Sequence, residues 1–161
     1  MLTLGQMWTI EIKSPEEMRQ LASLLPEPCV LAIDGPLGAG KTVFAQGLAH
    51  GLNIPEPIVS PTFTIANQYP ADVPFLHIDL YRLEAHDLHH LALDEEIEDW
   101  IGVVLIEWAI KHPSVLPVDC LKIQIEIKPN QPTQRTVSVV AFGETNHILL
   151  KWKSAWTTYT D

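Results

Sequence analysis

The sequence predicts an α/β fold in which a mostly parallel central sheet carries antiparallel edge strands and flanking helices. Three observations support this prediction. An apolar run at residues 30–33 leads through a glycine-rich loop into a helical pattern that begins near Lys41. A second fully apolar run, residues 103–106, is typical of a central strand buried on both faces. The closing segments 121–127 and 136–142 alternate like two antiparallel strands.

The first part of the chain contains a strand and a well-marked helix. Residues 8–12 alternate as a half-buried strand. Ser14, Pro15 and Glu17 then occupy the N-cap, N1 and N3 positions of a helix, where each of these residue types is favoured. Prolines at 26 and 28 end this helix before the apolar run at 30–33.

The middle of the chain predicts a hairpin followed by an acidic helical region. Residues 54–61 form a loop with three prolines, and residues 62–69 alternate like a strand. After a turn, residues 75–79 form the second arm of the hairpin. The segment 84–99 is expected to be helical in parts and precedes the strand at 103–106.

Length and composition predict one domain that comprises residues 1–161, with a core at about 8–143 and a tail at 146–161 of unassigned role. No apolar run approaches the roughly 20 residues of a membrane span. The two cysteines, Cys29 and Cys120, are interpreted as buried free thiols in a reducing compartment. We therefore expect a cytoplasmic protein.

The charge of the chain restricts its partners. A net charge of −10 argues against autonomous binding to nucleic acid, which requires a cationic surface. Seven acidic residues and no Lys or Arg lie in segment 84–99. This segment is either a solvated face or a docking surface for a basic partner. Arg82, just before it, could neutralise phosphate charge, although an ion pair with one of these acids is the favoured interpretation.

A phosphate-binding loop is the strongest functional motif. It matches G-x-x-x-x-G-K-[ST] at every fixed position and consists of Gly35, Pro36, Leu37, Gly38, Ala39, Gly40, Lys41 and Thr42. In this motif glycines let the backbone wrap a polyphosphate, and the helix N-terminus adds partial positive charge. Lys41 would reach the β- and γ-phosphates of ATP, and the Thr42 hydroxyl would bind Mg²⁺. The structural alternative is a turn that only joins strand to helix.

Two acids at strand ends complete the predicted site. Glu107 follows the apolar run 103–106, and we assign it to Mg²⁺, directly or through water. Asp79 follows residues 75–78, and we place it across the metal as a second ligand or as the group that positions the attacking water. Thr62 lies between the phosphate-loop helix and Asp79, where a γ-phosphate-sensing switch would lie. Each of these residues could instead have only a local structural role.

Four motifs together resemble those of the TsaE family, also called YjeE, which consists of small bacterial ATPases with a P-loop NTPase-like fold. These motifs are the phosphate loop at 35–42, S-P-T-F-T at 60–64, H-I-D-L-Y-R-L at 77–83 and L-I-E-W at 105–108. The resemblance covers about residues 8–143. Pro36 departs from the family pattern, which usually has Asp there, and it removes one backbone N–H.

The resemblance implies an Mg²⁺-dependent ATPase with slow turnover. It implies Lys41 and Thr42 at phosphate and metal, Glu107 at Mg²⁺, Asp79 near the metal and Trp108 close to the nucleotide. It also implies partners, namely the threonylcarbamoyl transferase TsaD and its companion subunit TsaB, which modify adenosine-37 in tRNAs that read ANN codons. In that system ATP turnover is thought to reset the transferase complex.

Two other functions remain open from the sequence. A small-molecule kinase could use the same phosphate loop, although such kinases usually carry an arginine-rich lid. This chain has only three arginines and no arginine-rich segment. A non-hydrolysing ATP sensor that switches a partner is the other alternative.

Overall fold

The computed structural model describes residues 6–161, and residues 1–5 of the predicted domain lie outside the described range. The strands are β1 (Met7–Ile12), β2 (Val30–Asp34), β3 (Ala66–Tyr69), β4 (Phe75–Asp79), β5 (Val103–Glu107), β6 (Cys120–Ile127) and β7 (Arg135–Phe142). The α-helices are α1 (Pro15–Ser23), α2 (Lys41–Gly51), α3 (Ala85–Leu91), α4 (Leu93–Asp99) and α5 (Asn146–Thr160). Two short 3₁₀ turns, Ala109–Lys111 and Pro113–Val115, follow β5.

The seven strands form one sheet in the order β1-β7-β6-β2-β5-β4-β3. The central strand β2 pairs in parallel with β5 on one side and with β6 on the other, and β4 is parallel to β5. The β3–β4, β6–β7 and β1–β7 pairs are antiparallel. The predicted fold class, a mostly parallel sheet with antiparallel edges and flanking helices, is confirmed.

One predicted strand is wrong over half of its length. The alternating pattern at 62–69 predicted a continuous strand, but β3 begins only at Ala66. Residues 62–64 form a turn in which the Ile65 N–H donates to the Pro61 carbonyl at 2.6 Å. Ile65 has φ of 71°, a left-handed conformation that is costly for a β-branched residue. The turn directs Thr62 toward the end of β4, where its hydroxyl contacts Asp79.

Helices α1 and α2 pack against one face of the sheet. The hydroxyl of Ser14 accepts a hydrogen bond from the Glu17 N–H at 3.2 Å, so α1 begins as the sequence predicts. The two helices approach closely at Gly47, where an added Cβ would lie 2.4 Å from the Arg19 carbonyl oxygen. This close packing fixes the position of α2, whose first residue is Lys41.

The tail of the chain belongs to the same core. Residues 146–161, whose role the sequence left open, include α5, which packs beside α1 and α2. Trp152 is fully buried, and its indole N–H donates to the Leu21 carbonyl at 2.8 Å. Its ring packs edge-on against Trp8 and Phe44, with centroid distances of 5.7 and 6.2 Å. The tail therefore stabilises the layer that carries the glycine-rich loop.

The acidic segment lies on the other face of the sheet. Its apolar residues Leu93 and Ile97 are buried, while most of its carboxylates are exposed. The prediction that Arg82 pairs with an acid of this segment is wrong. Among residues 6–161 Arg82 forms no ion pair, and its guanidinium lies over the Phe63 ring, 4.2 Å from the centroid. Among residues 6–161, no helix is both long enough and apolar enough to cross a membrane.

Candidate functional site

The candidate site lies at the carboxyl ends of three neighbouring parallel strands. The glycine-rich loop connects the end of β2 to the start of α2. Asp79 ends β4, Glu107 ends β5, and the two residues are direct partners in the parallel register. Because parallel strands present their carboxyl ends at one edge, both acids lie beside the loop.

Glycine is required at specific positions of the loop. Gly40 has φ of 115° and forms the N-cap of α2, while Gly38 has φ of 80°. An added Cβ on Gly35 would lie 2.9 Å from the Ile125 carbonyl oxygen of the neighbouring strand β6. Between these glycines, the Ala39 N–H donates to the Pro36 carbonyl at 3.0 Å and forms a tight turn. The chain therefore folds into an open loop that leads into a helix N-terminus, a geometry suited to anions.

The ammonium of Lys41 is held inside this loop. It donates to the Gly35 carbonyl at 2.5 Å and to the Pro36 carbonyl at 3.2 Å. It also lies over the indole ring of Trp108, 4.5 Å from the centroid. Trp108 immediately follows β5 and has φ of 60°. The unusual Pro36 therefore contributes its carbonyl group to the contacts of this lysine.

Burial and charge act on Lys41 in opposite directions. The side chain is 7% exposed, and this desolvation lowers the pKa of the ammonium from its ordinary value. The carboxylates of Glu107, Asp34 and Asp79 raise the pKa, but their combined effect is smaller. Desolvation also raises the pKa of Asp34, which ends β2 and accepts a hydrogen bond from the Ile110 N–H. The site thus concentrates one buried cation among three acids.

Asp79 is held by the turn that replaces the start of the predicted strand. Its Oδ2 accepts a hydrogen bond from the Thr62 hydroxyl at 3.0 Å, and its Oδ1 accepts one from the Tyr81 N–H at 2.9 Å. The Ser60 and Thr62 hydroxyl oxygens are 2.7 Å apart. The structure therefore connects the predicted switch segment directly to a strand-end acid.

Glu107 is buried next to a histidine. The carboxylate oxygen Oε2 lies 2.6 Å from Nε2 of His77, which precedes Asp79 by two residues on β4. His77 is fully buried and Glu107 is 3% exposed. The sequence analysis treated His77 only as a part of the family motif, because nothing in a single sequence shows that two adjacent strands align these side chains.

The donor set at this edge suits a metal ion that binds mainly to phosphate. Within residues 6–161, no group of three or more His, Cys, Asp and Glu side chains is arranged to hold a metal ion. Magnesium does not require such a group, because it usually takes one or two carboxylates together with phosphate oxygens and water. Thr42, the second residue of α2, and the Glu107 carboxylate, of which only Oε2 is bonded to His77, fit that kind of site.

Arg135 is a residue that the sequence analysis missed. It begins β7, and its side chain reaches the outer side of the glycine-rich loop. Its Nε donates to the Ala39 carbonyl at 2.9 Å and its Nη2 donates to the Gly38 carbonyl at 3.1 Å. Because it is 96 residues from Ala39 in sequence, no local pattern could have revealed the contact. These bonds fix two carbonyl groups at the apex of the loop.

A small, mostly apolar cavity of about 140 Å³ adjoins the loop. Ser14, Met18, Gly40, Val43 and Pro132 are among its lining residues. The cavity lies between the start of α1, the β6–β7 connection and the start of α2. Leu37, by contrast, is 78% exposed at the apex of the loop.

The fold and the loop define this chain as a mixed α/β protein with a P-loop NTPase-like fold. Residues 12–137 match the profile of the family described as threonylcarbamoyl adenosine biosynthesis protein TsaE. The chain belongs to the TsaE family. The resemblance inferred from the four motifs is thereby confirmed.

Individual relatives support the same conclusion. The TsaE protein of Nostoc sp. strain PCC 7120 is 44% identical over 120 residues, which cover 70% of this chain and 74% of the relative. The TsaE protein of Bacillus subtilis is 39% identical over 141 residues, which cover 84% and 87%. The crystal structure of Bacillus subtilis YdiB superposes with a TM-score of 0.76 at 30% identity, covering 100% of this chain and 99% of that one.

Proposed function

We propose that this chain binds Mg-ATP on the loop 35–42 and hydrolyses it slowly, as an accessory to the threonylcarbamoylation of adenosine-37 in tRNA. The observation that carries the proposal is the meeting of Lys41, Asp79 and Glu107 beside the loop. This arrangement combines a buried cation, two strand-end carboxylates and a helix N-terminus at one edge of the sheet. Family membership supports the connection to tRNA modification.

Each part of the loop has a distinct role in the proposal. The backbone N–H groups of the loop residues would bind phosphate oxygens. Lys41 would exchange its contacts with the Gly35 and Pro36 carbonyls for contacts with the β- and γ-phosphates. Trp108 would border the nucleotide, because its ring already lies against this ammonium. The apolar cavity beside the loop offers room for the base on the same side as Met18.

The metal would be held by few protein groups. The Thr42 hydroxyl and the Glu107 carboxylate would hold Mg²⁺, which neutralises phosphate charge when bound. Asp79 would act as a second ligand or would orient the attacking water. Its contact with Thr62 supports a role for the turn at residues 62–64 in sensing the γ-phosphate, because the contact links the turn directly to this carboxylate.

Slow turnover follows from where the arginines lie. Arg135 binds loop carbonyls, Arg82 lies over Phe63, and Arg19 contacts Glu16 and Gln46. Each of the three arginines of the chain is therefore engaged with other groups of the chain. An arginine supplied by a partner can raise phosphoryl-transfer rates by about 10³ to 10⁵. We propose TsaD and its companion TsaB as the partners that stimulate turnover and are reset by it.

The charge and the cysteines support the setting of this reaction. The net charge of −10 favours docking to a protein partner over direct binding of tRNA. Cys29 and Cys120 are free thiols, which supports a reducing compartment; Cys120 is buried as predicted, whereas Cys29 is only half-buried.

The test is phosphate release from Mg-ATP by the purified chain, first alone and then with TsaD, TsaB and tRNA. We expect a low rate alone and a clear stimulation by the partners. Glu107→Gln should abolish the stimulation, because it removes the carboxylate charge without changing the size of the side chain. Glu126→Gln is the matched control, since Glu126 is an exposed glutamate on β6.

Other outcomes would select another function. Tight ATP binding without stimulated hydrolysis, together with a Glu107→Gln variant that still supports tRNA modification, would indicate an ATP sensor. Phosphate transfer to an added small molecule instead of water would indicate a kinase. Absence of ATP binding would overturn the proposal.

A further inference from the structure

We propose that His77 is a positioning residue, whose Nε2–H holds one oxygen of Glu107 so that the other oxygen stays available to a divalent cation at the glycine-rich loop. The inference rests on the proposed Mg-ATP site and assigns it a supporting residue that is not itself a ligand. It is carried by the contact between Nε2 and Oε2 at 2.6 Å and by the unequal surroundings of the two carboxylate oxygens.

The carboxylate of Glu107 has one anchored oxygen and one open oxygen. Oε2 is bonded to His77, whereas Oε1 accepts no hydrogen bond within residues 6–161. In the same part of the chain, Oε1 is not among the buried polar atoms without a partner, so it keeps access to solvent. An oxygen that keeps access to solvent pays no cost of an unpaired buried charge. It can therefore exchange solvent for a cation that arrives with a ligand.

The ring of His77 can fill this role in only one tautomer. Its Nδ1 is buried and has no hydrogen-bond partner. A proton on Nδ1 would therefore lack an acceptor, and it would turn the Nε2 lone pair toward the carboxylate oxygen. The tautomer with a proton on Nε2 satisfies the contact with Glu107 and leaves on Nδ1 only a bare acceptor. The surroundings thus select a donor that faces the carboxylate.

Packing fixes the orientation of the ring. The Phe75 ring stacks on His77 with a centroid distance of 5.6 Å and an interplanar angle of 12°, and Tyr69 stacks on Phe75 in turn. The register places His77 opposite Leu105, two residues before Glu107 on β5. A rigid donor on one strand thus meets a carboxylate on the next. Such supporting contacts typically change metal affinity by about 10- to 100-fold when removed.

The test measures metal binding directly and does not depend on turnover. The affinity for Mn²⁺ is measured by electron paramagnetic resonance in the presence of a saturating non-hydrolysable ATP analogue. His77→Leu removes the donor, and we expect it to weaken Mn²⁺ binding by about tenfold or more. His77→Gln keeps an N–H donor at a similar reach and should restore the affinity to within about threefold.

A matched variant separates this role from general stability. Leu105→Val shortens the buried neighbour of His77 and should lower thermal stability without weakening Mn²⁺ binding. Unchanged Mn²⁺ affinity in His77→Leu, or an equal loss in His77→Gln and His77→Leu, would overturn the positioning role alone. If the wild-type chain binds the nucleotide analogue but not Mn²⁺, or binds neither, the proposed Mg-ATP site itself fails.

A second measurement needs no substitution. A long-range ¹H–¹⁵N spectrum of the wild-type chain reports which ring nitrogen of His77 carries the proton. We expect the Nε2–H tautomer in the ligand-free chain. Observation of the Nδ1–H tautomer would overturn the inference even if the variants failed to fold.

Discussion

The ammonium of Lys41 lies against the indole ring of Trp108, at 4.5 Å from its centroid, while it donates to two carbonyl groups of its own loop. This lysine is therefore engaged by two carbonyl groups of its own loop and by the residue that follows β5. Under the proposed function, a phosphate must offer the ammonium more than these contacts do.

Lys41→Met should separate ligand binding from stability. Because burial lowers the pKa of this lysine, the folded chain holds its proton less tightly than the unfolded chain. The free energy of unfolding therefore rises as the pH increases from the folded-state pKa of Lys41 toward 10.5. At neutral pH, where the ammonium is charged, its burial destabilises the folded chain. We expect Lys41→Met to lose at least about tenfold in affinity for Mg-ATP, while the melting temperature of the ligand-free chain does not fall. Calorimetric titration and scanning calorimetry measure both, and an unchanged affinity would contradict the assignment of the phosphate site.

Cys29 is half-buried, and its thiol should be alkylated more slowly in the folded chain than in the unfolded chain. Burial raises the pKa of its thiol to about 12, with a smaller contribution from the nearby charge of Glu27. Between about pH 9 and pH 12 the folded chain therefore keeps the thiol proton, whereas the unfolded chain loses it. The free energy of unfolding consequently declines as the pH rises above about 9. Iodoacetamide at pH 8.5, a value near the ordinary cysteine pKa of about 8.5, should label Cys29 faster in urea than in buffer. Equal labelling rates in urea and in buffer would contradict the raised pKa of this thiol.

Trp152→Ala should show that the tail is a structural part of the fold. The substitution removes a fully buried ring that packs between Trp8 and Phe44, together with a hydrogen bond to the Leu21 carbonyl. We expect the free energy of unfolding to fall by about 3–5 kcal/mol in a urea titration. Tyr159→Ala on the same helix, at a residue that is 52% exposed, should change it by much less. Equal small effects would mean that α5 does not support the core.

The fold could be predicted from the sequence because its main signals are local. Two apolar runs became β2 and β5, the N-cap at Ser14 began α1, and the alternating segments at the end became β6 and β7. The prediction was wrong at 62–65, where alternation in sequence resembled a strand. There the contacts of Thr62 with Asp79 and of Ile65 with Pro61 favour a turn.

The candidate site was predictable only in part, for the same reason. Lys41, Asp79 and Glu107 each follow a recognisable local pattern, and the parallel sheet brings them together. His77 and Arg135 act through contacts between elements that are distant in sequence, with separations of 30 and 96 residues. No spacing rule links such residues, so their relationships appear only once the strands are paired.

Arg135→Ala should weaken nucleotide binding through the shape of the loop. The guanidinium holds the carbonyl groups of Gly38 and Ala39, so its removal frees the loop apex. We expect the affinity for Mg-ATP to fall by about tenfold. Arg135→Lys should not restore it, because one ammonium cannot reproduce the planar fork that bridges two acceptors. Lys128→Ala is the control, since Lys128 lies in the β6–β7 connection that precedes Arg135 but pairs with Glu11. Rescue by lysine would mean that charge rather than geometry is what the loop needs.

Thr62→Val should lower turnover more than binding. Valine has a similar shape but cannot donate to Asp79, so the carboxylate keeps only its bond from the Tyr81 N–H and gains freedom to rotate. If Asp79 acts on the attacking water or on the metal, we expect partner-stimulated phosphate release to fall by about tenfold in steady-state kinetics. The affinity for Mg-ATP, measured by equilibrium titration, should stay within about twofold of the wild type. Thr64→Val is the matched control, because Thr64 lies in the same turn but its hydroxyl donates to the half-buried Asn67 side chain on β3. A loss of affinity alone would place Thr62 with the nucleotide-binding groups. Equal effects of Thr62→Val and Thr64→Val would mean that turnover requires the turn and not the contact with Asp79.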